Sequence, residues 1–120
     1  MAIKIAVANM VGFTVEGQEQ DPDGKPTDFS VKFIAKRLKQ KELDAVDAEV
    51  SPAIAAAGTY QPITDKLATL ITNWDDVRDD AGANIAYTEA GLRDLFDAHP
   101  GLNLLAWRLY KIHCGCIAKN

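Results

Sequence analysis

The stretch "NWDDVRDDAGANIAYTEAGLRDLF", residues 73–96, decides how the second half of this chain folds. Just before and into this stretch, apolar residues recur at the i, i+3, i+4 and i+7 spacing of one helix face: Leu67, Leu70, Ile71 and Trp74. Thr64 precedes them as a helix cap, with Asp65 well placed in the first turn. The sequence therefore predicts a helix that begins after Thr64 and includes Trp74.

A structural joint is predicted next. Residues 79–82 (DDAG) have turn composition and end the helix, and residues 83–87 form a short extended linker. Thr88 then caps a new helix that has apolar residues along one side. We expect Trp74 to pack across the turn and fix the angle of the joint, whose residues are Trp74, Gly82, Thr88, Leu92 and Phe96.

The last predicted helix runs from Leu102 to Cys114 and has apolar residues on two sides. The expected core stripe consists of Leu102, Leu105, Leu109, Ile112 and Cys116. On nearly the opposite side lie Trp107, Tyr110 and Cys114. Either other elements cover this second side, or it binds a partner or a second copy, as exposed aromatic residues often do. On the second alternative, the candidate partner-binding residues are Trp107, Tyr110, Cys114 and Leu104.

The first third of the chain is strand-rich, and we predict a β-hairpin formed by roughly residues 11–17 and 28–34, joined by a Pro- and Gly-rich loop. Helical spacing follows from Leu38, and Ser51-Pro52 is a typical helix restart. The predicted fold is α+β and mainly α: the N-terminal hairpin is followed by four to five short amphipathic helices. We expect one domain over residues 1–120, with a strand-rich hairpin region at 1–34 and a helical region at 38–116.

Composition excludes several classes of function. A net charge of −4 over 120 residues argues against nucleic-acid binding. The apolar stretches are far shorter than the ~18 residues of a membrane span, and the N-terminus lacks a secretory signal, so we expect a cytoplasmic protein. Charge is uneven, positive over residues 25–41 and negative over 42–80, which either guides association or is solvated helix surface.

Residues that would indicate catalysis or metal binding are sparse. The chain has no phosphate-binding, zinc-protease or nucleophile-elbow motif, and we predict no enzyme activity and no cofactor. The acidic run that begins at Asp75 fails the EF-hand pattern because Ala86 occupies the twelfth position. His113, Cys114 and Cys116 supply at most three zinc ligands. They are two reduced thiols at a helix end or, alternatively, part of a metal site shared across an oligomer; we predict no metal.

The quoted stretch, together with "HPGLNLLAWRLY", resembles the tail assembly chaperones of long-tailed bacteriophages. The matching positions are Trp74, Gly82, Tyr87, Thr88, Leu92 and Leu95. Upstream, "DFSVKFIAKRL" is similar to the extended entry of that family, so the resemblance covers roughly residues 28–113. Residues 1–20 and "HCGC" depart from the family pattern.

The resemblance implies a small, largely helical protein with a β element that binds the tape-measure protein, and as a second candidate the tail tube protein, in the host cytoplasm. It implies absence from the mature virion, no catalytic residues, and in many members a longer frameshifted form, with which the terminal Lys119-Asn120 is compatible. The alternatives are a structural tail-completion or connector protein, and an unrelated protein-binding adaptor. Because a long exposed edge strand tends to pair with another chain, a homo-oligomer is favoured. Residues 1–20 are either a strand of the domain or a swapped arm.

Overall fold

The computed structural model describes residues 2–119; Met1 and Asn120, the outermost residues of the predicted domain, lie outside this range. Seven elements follow one another: strands β1 (Met10–Gln20) and β2 (Pro26–Lys36), helices α1 (Gln40–Ala57) and α2 (Gln61–Leu70), strand β3 (Ile71–Asp75), and helices α3 (Glu89–Ala98) and α4 (Leu102–Cys114). The strands form one antiparallel sheet in the order β1-β2-β3. The helices pack on one face of it.

The hairpin of β1 and β2 follows from its turn chemistry and its alternation. Gly24 has φ +79°, a conformation that L side chains rarely adopt, and the Asp21 side chain accepts hydrogen bonds from the Asp23 and Lys25 amides. From this turn the strands pair without interruption to Met10 and Lys36. Every second residue points inward, so the buried strand residues are Val11, Phe13, Val15, Val31, Phe33 and Ala35. The pairing is longer at both ends than the predicted hairpin.

The third strand corrects the predicted fold class. The expected helix through Trp74 ends at Leu70, and the next five residues form β3 against β2. A bulge between Ile34 and Ala35 in the pairing inserts one extra residue, so Ile71 and Trp74 both face the core although they are three apart. That spacing imitates a helix face. The chain is therefore an α+β fold with a three-stranded sheet and four helices, not a mainly helical protein with a hairpin.

Helix α1 corrects a second boundary. Ser51-Pro52 does not restart a helix, because α1 is continuous from Gln40 to Ala57 with Pro52 inside it. The proline costs the bond that its amide would have donated. Val50 is buried and Ile54 packs against the core on either side of the proline, so apolar packing holds the helix together through it. It ends at Gly58, which has φ +70°.

One core joins the sheet to the helices. Its largest fully buried side chains are Tyr110, Phe13, Phe33, Leu67, Leu92 and Val15, contributed by both strands of the hairpin and by three helices. Phe33 contacts Phe13 and Phe96 at centroid distances of 5.7 and 6.0 Å, which ties α3 to the centre of the sheet. The outer face of the sheet is left uncovered in the single chain, with exposed residues such as Thr14 and Lys32.

Candidate functional site

The joint between β3 and α3 is built around Trp74. Its indole Nε1 donates a hydrogen bond of 2.7 Å to the Ile85 carbonyl, and its ring meets Tyr87 edge-on at 5.1 Å. The Tyr87 hydroxyl donates to the Ile71 carbonyl at 3.0 Å, so both aromatic residues fasten the 83–87 segment to β3. Burial raises the pKa of Tyr87, with a smaller contribution from the nearby Glu89 carboxylate.

The two ends of this joint are fixed by local hydrogen bonds. At the turn, the Asp79 carboxylate accepts from the Ala81 and Ala83 amides at 2.9 Å, and Gly82 has φ +83°. At the start of α3, Thr88 Oγ1 accepts from the Gly91 amide at 2.9 Å. A Cβ atom on Gly91 would lie 2.9 Å from that same oxygen, so the cap needs a glycine there.

Helix α3 is held in place from the joint onward. Leu92 is fully buried and Phe96 is 5% exposed, so both anchor the helix to the core. On its outer side, Arg93 donates to Asp65 of α2 at 2.7 Å. The Arg93 guanidinium lowers the pKa of the Asp65 carboxyl, and the Gln61 side chain lowers it further. The predicted joint residues thus lie in one connected unit.

The second side of α4 is core and not a binding surface. Tyr110 is 0% exposed, Trp107 is 6% exposed, and Cys114 is buried with them. Tyr110 donates to the Lys36 carbonyl at 2.6 Å and contacts the Phe13 ring at 5.8 Å. Our expectation that these residues are exposed partner contacts is wrong, because the sheet lies directly against this side of α4. Of the two alternatives, coverage by other elements holds.

Leu104, the fourth candidate partner-binding residue, is likewise not fully exposed. It is half-buried and packs against the core on the side of α4 that faces the first two helices. There the Asn103 side chain donates to Thr64 Oγ1 at 3.1 Å, and Lys111 forms an ion pair of 3.2 Å with Asp47 while its Nζ lies 5.3 Å from the Trp107 ring centroid. This side of α4 is thus occupied within the chain.

The predicted core stripe of α4 is only partly confirmed. Leu102 is buried in the core, whereas the rest of the stripe lies on the less buried side of the helix and Cys116 is exposed beyond its end. We use the name α4 flank for Leu105, Leu109 and Ile112. The two leucines are half-buried, and Ile112 is 47% exposed. Leu105 lines a hollow together with Gln18 and Glu19 of β1 and Phe29 of β2, so this end of the α4 flank lies beside the turn end of the hairpin. The His99 Nδ1 and Glu19 Oε2 atoms are 2.6 Å apart and connect the end of β1 to the end of α3.

The N-terminal arm, residues 2–9, contains the two most exposed large apolar side chains of the described residues, Ile3 and Ile5. Ile3, Ile5 and Val7 are all exposed, and the arm forms no strand of its own before β1. The sequence leaves two roles open for residues 1–20, a strand of the domain or a swapped arm. The signal for a strand was present, because the exposed apolar residues of the arm continue the alternation of Val11, Phe13 and Val15 without a change of phase.

The two C-terminal cysteines differ in solvent exposure. Cys114 is buried and Cys116 is exposed, and both are free. Within residues 2–119, no group of three or more histidine, cysteine or acidic side chains is placed to hold a metal ion. Over the same described residues, no helix combines the length and apolar character that crossing a membrane requires.

Comparison with known proteins finds no matching family model, no matching curated protein and no matching solved structure.

Proposed function

We propose that this protein is a phage tail assembly chaperone, which binds the tape-measure protein in the host cytoplasm while the tail is built and leaves before the virion matures. The tail tube protein is a second candidate partner. On this proposal the protein acts by binding and not by catalysis, and it requires no cofactor.

One observation supports the proposal most directly. Several of the residues through which the chain resembles these chaperones lie in one joint, although they are spread over about twenty positions of sequence. Trp74 contacts Tyr87, Thr88 caps α3, and Leu92 is buried beneath it. Matching residues that lie close together support the resemblance better than the same residues scattered over the molecule would.

The joint also explains why such a protein needs these residue types. The Trp74 indole and the Tyr87 hydroxyl satisfy backbone carbonyls in the loop between strand and helix, at 2.7 and 3.0 Å. The burial of Val77 in the core and the hydrogen bond from the Ile85 amide to the Val77 carbonyl hold the same loop from its other side. A fixed angle between the sheet and α3 keeps the surface of a small binding protein in one shape, and preorganisation of that kind lowers the entropy that binding costs.

The test is a combination of co-expression and particle analysis. The chain is co-expressed with the long helical tape-measure protein encoded in the same tail gene cluster. We expect the tape-measure protein to stay soluble and to copurify with the chain, and to aggregate without it. Mass spectrometry of infected lysates and of purified mature particles should find the chain in the lysate and not in the particle.

Other results would assign other functions. The chain at a fixed copy number in mature particles would show a tail-completion or connector protein. A locus without tail genes would indicate an unrelated adaptor. The test variant is Trp74→Ala, which disrupts the joint and should lower recovery of the complex. The control variant is Arg108→Ala, which changes an exposed side chain of α4 and should copurify normally.

A further inference from the structure

We infer that two copies of this chain associate by strand addition: the N-terminal arm of one copy adds to the free edge of β1 in the second copy, and Ile3, Ile5 and Val7 cover its α4 flank. This inference names the contact of a homo-oligomer and does not depend on binding to a tape-measure protein.

The free edge of β1 offers backbone groups in a fixed pattern. The Arg37 amide donates to the Asn9 carbonyl at 2.8 Å, and the Asp21 amide donates to the Lys25 carbonyl at 2.8 Å. In an antiparallel pair the direction of the backbone groups alternates along the strand, so the odd-numbered residues of β1 bond to β2. The even-numbered residues, from Met10 to Gln18, therefore direct their amides and carbonyls away from β2, at the edge of the sheet.

Strand β1 lacks most of the features by which edge strands usually resist pairing, although Glu16 and Glu19 are charged. It is eleven residues long and contains neither lysine nor proline. In the described chain it has a paired neighbour on one side only. Such an edge is a template for another strand, and the sequence that precedes it is rich in β-branched residues.

The arm has the right phase for this edge. Ile3 is 90% exposed, Ile5 is fully exposed, and Val7 is 52% exposed in the single chain. All three share odd numbering with the inward-facing residues of β1. An arm extended in line with β1 therefore turns them to the face that the helices cover, while Lys4 turns to the open face.

The α4 flank is the surface that these side chains would meet. Tyr110 contacts Phe13 near one end of β1, and Leu105 lies beside Gln18 near the other, so α4 runs along the edge strand. A strand added outside β1 would lie over the α4 flank, where Ile112 is 47% exposed. Apolar side chains of the arm would remove both surfaces from water.

The arm of the same chain is poorly placed to fill this edge. Folding back onto its own β1 would need a two-residue turn at Ala8 and Asn9. Turns of that length require one or two residues with positive φ, for which glycine and asparagine are favoured, and Ala8 is neither. The Asn9 carbonyl also accepts from the Arg37 amide, which fixes this residue beside β2; the chain bends at Asn9 in the single copy, so the arm straightens when it pairs with a second copy. The eight residues of the arm, at about 3.3 Å each, match eight residues of β1 in length.

The same alternation of odd and even residues allows two copies to pair about a two-fold axis. Antiparallel strands 2–18 of both copies place even residues opposite even residues, so the outward backbone groups of each meet those of the other. Each arm then lies on the partner's β1, and the two three-stranded sheets join into one. The interface is the same patch on both copies, which closes the assembly at a dimer.

The first experiment measures mass in solution with a backbone-specific pair of variants. Sedimentation equilibrium of the intact chain should give twice the 13.0 kDa protomer mass. Thr14→Pro removes an amide that points to the free edge and is therefore unpaired in the monomer, and it should raise the dissociation constant by about tenfold or more. Thr14→Val is the matched control and should remain dimeric.

The second variant tests the side chains. Replacing Ile3 and Ile5 together by glutamate would bury charges against the α4 flank, and we expect the dissociation constant to rise by about a hundredfold. Tyr60→Glu makes the same kind of change at a 53% exposed position away from the edge and should leave the dimer intact. Circular dichroism of each variant establishes that it is folded.

Three outcomes would overturn the inference. These are a monomer for the intact chain at high micromolar concentration, a dimer unaffected by Thr14→Pro and by the arm variant, and a monomer whose arm resists proteolysis. The last would show that the arm folds onto its own chain. Loss of tape-measure binding with the dimer retained would refute the proposed function and leave the dimer standing.

Discussion

The hydroxyl of Tyr110 gives the sharpest test of how α4 is packed, because its effect on stability should change sign with pH. The side chain is 0% exposed, and its hydroxyl donates to the Lys36 carbonyl at 2.6 Å. Tyr110→Phe removes this one hydrogen bond and keeps the ring, so we expect a loss of about 1 kcal/mol in the free energy of unfolding at pH 7.

At high pH the same hydroxyl lowers the stability of the folded protein. Burial, with a smaller contribution from Cys114, raises the pKa of Tyr110 well above its ordinary value of 10.0. Above pH 10 the unfolded chain loses this proton while the folded chain retains it. The stability of the wild type therefore falls by about 1.36 kcal/mol per pH unit from this residue, and Tyr110→Phe is free of that loss.

The two effects cancel near pH 11. An advantage of about 1 kcal/mol is consumed by about 0.7 pH units beyond pH 10, and by pH 12 the Phe variant should be the more stable by about 1–2 kcal/mol. Urea unfolding at pH 7, 9, 10.5 and 11.5, followed by far-ultraviolet circular dichroism, measures the difference. Both proteins contain the other tyrosines, so the titration of those residues cancels in the difference between the two free energies of unfolding.

Truncation of the same residue completes the test. Tyr110→Ala should cost about 3–5 kcal/mol, a large part of the stability of a small domain. Arg108→Ala, one exposed residue of the same helix, should cost less than about 0.5 kcal/mol. A Tyr110→Ala protein with an unchanged urea midpoint, or a difference between wild type and Phe variant that does not vary with pH, would refute this account of α4.

Three smaller changes test the joint and its neighbours. Thr88→Ala should cost about 1 kcal/mol in urea unfolding because the Gly91 amide loses its acceptor, and Thr88→Ser should cost much less. Gly82→Ala should cost about 1 kcal/mol from backbone strain alone, since its φ is +83° and nothing lies within 4 Å of the added Cβ; an unchanged thermal midpoint would contradict this. The partly exposed Asp65–Arg93 pair should contribute less than about 1 kcal/mol, a contribution present above pH 4 and lost as pH falls through the lowered pKa of Asp65, so Asp65→Asn should flatten stability at acid pH.

Elements with their own local signals could be predicted from the sequence. The Pro-Asp-Gly turn, the Thr88 cap and the Pro-Gly break before α4 depend on residues within a few positions, and the structure has each of them there. The third strand could not be predicted in this way, because it forms only by pairing with β2, which lies far from it in the sequence. Ile71 and Trp74 have helical spacing, and only the bulge opposite β2 allows both to face inward from a strand.

The two sides of α4 show a different limit. Both sides have apolar residues at helical spacing, so periodicity alone ranked the longer leucine stripe as core. The sheet selects the aromatic side because Tyr110 can reach both Phe13 and the Lys36 carbonyl, a satisfied hydrogen bond that the leucines cannot supply. Choosing between two apolar faces requires knowing which surface the rest of the domain presents to the helix.

The leucine side of α4, and not the aromatic side, remains partly exposed, and this decides which kind of partner suits the exposed surface. An amphipathic helix of a tape-measure protein could cover Leu105, Leu109 and Ile112, but it would leave the outward amides and carbonyls of β1 without partners. A β-strand covers the same side chains and bonds to those backbone groups as well. Because the exposed flank and the unpaired edge lie next to each other, an added strand satisfies both, and residues 2–9 are a segment of the right length and phase to form it. We therefore assign this surface to a second copy; on the proposed function, the tape-measure protein would bind to another part of the molecule.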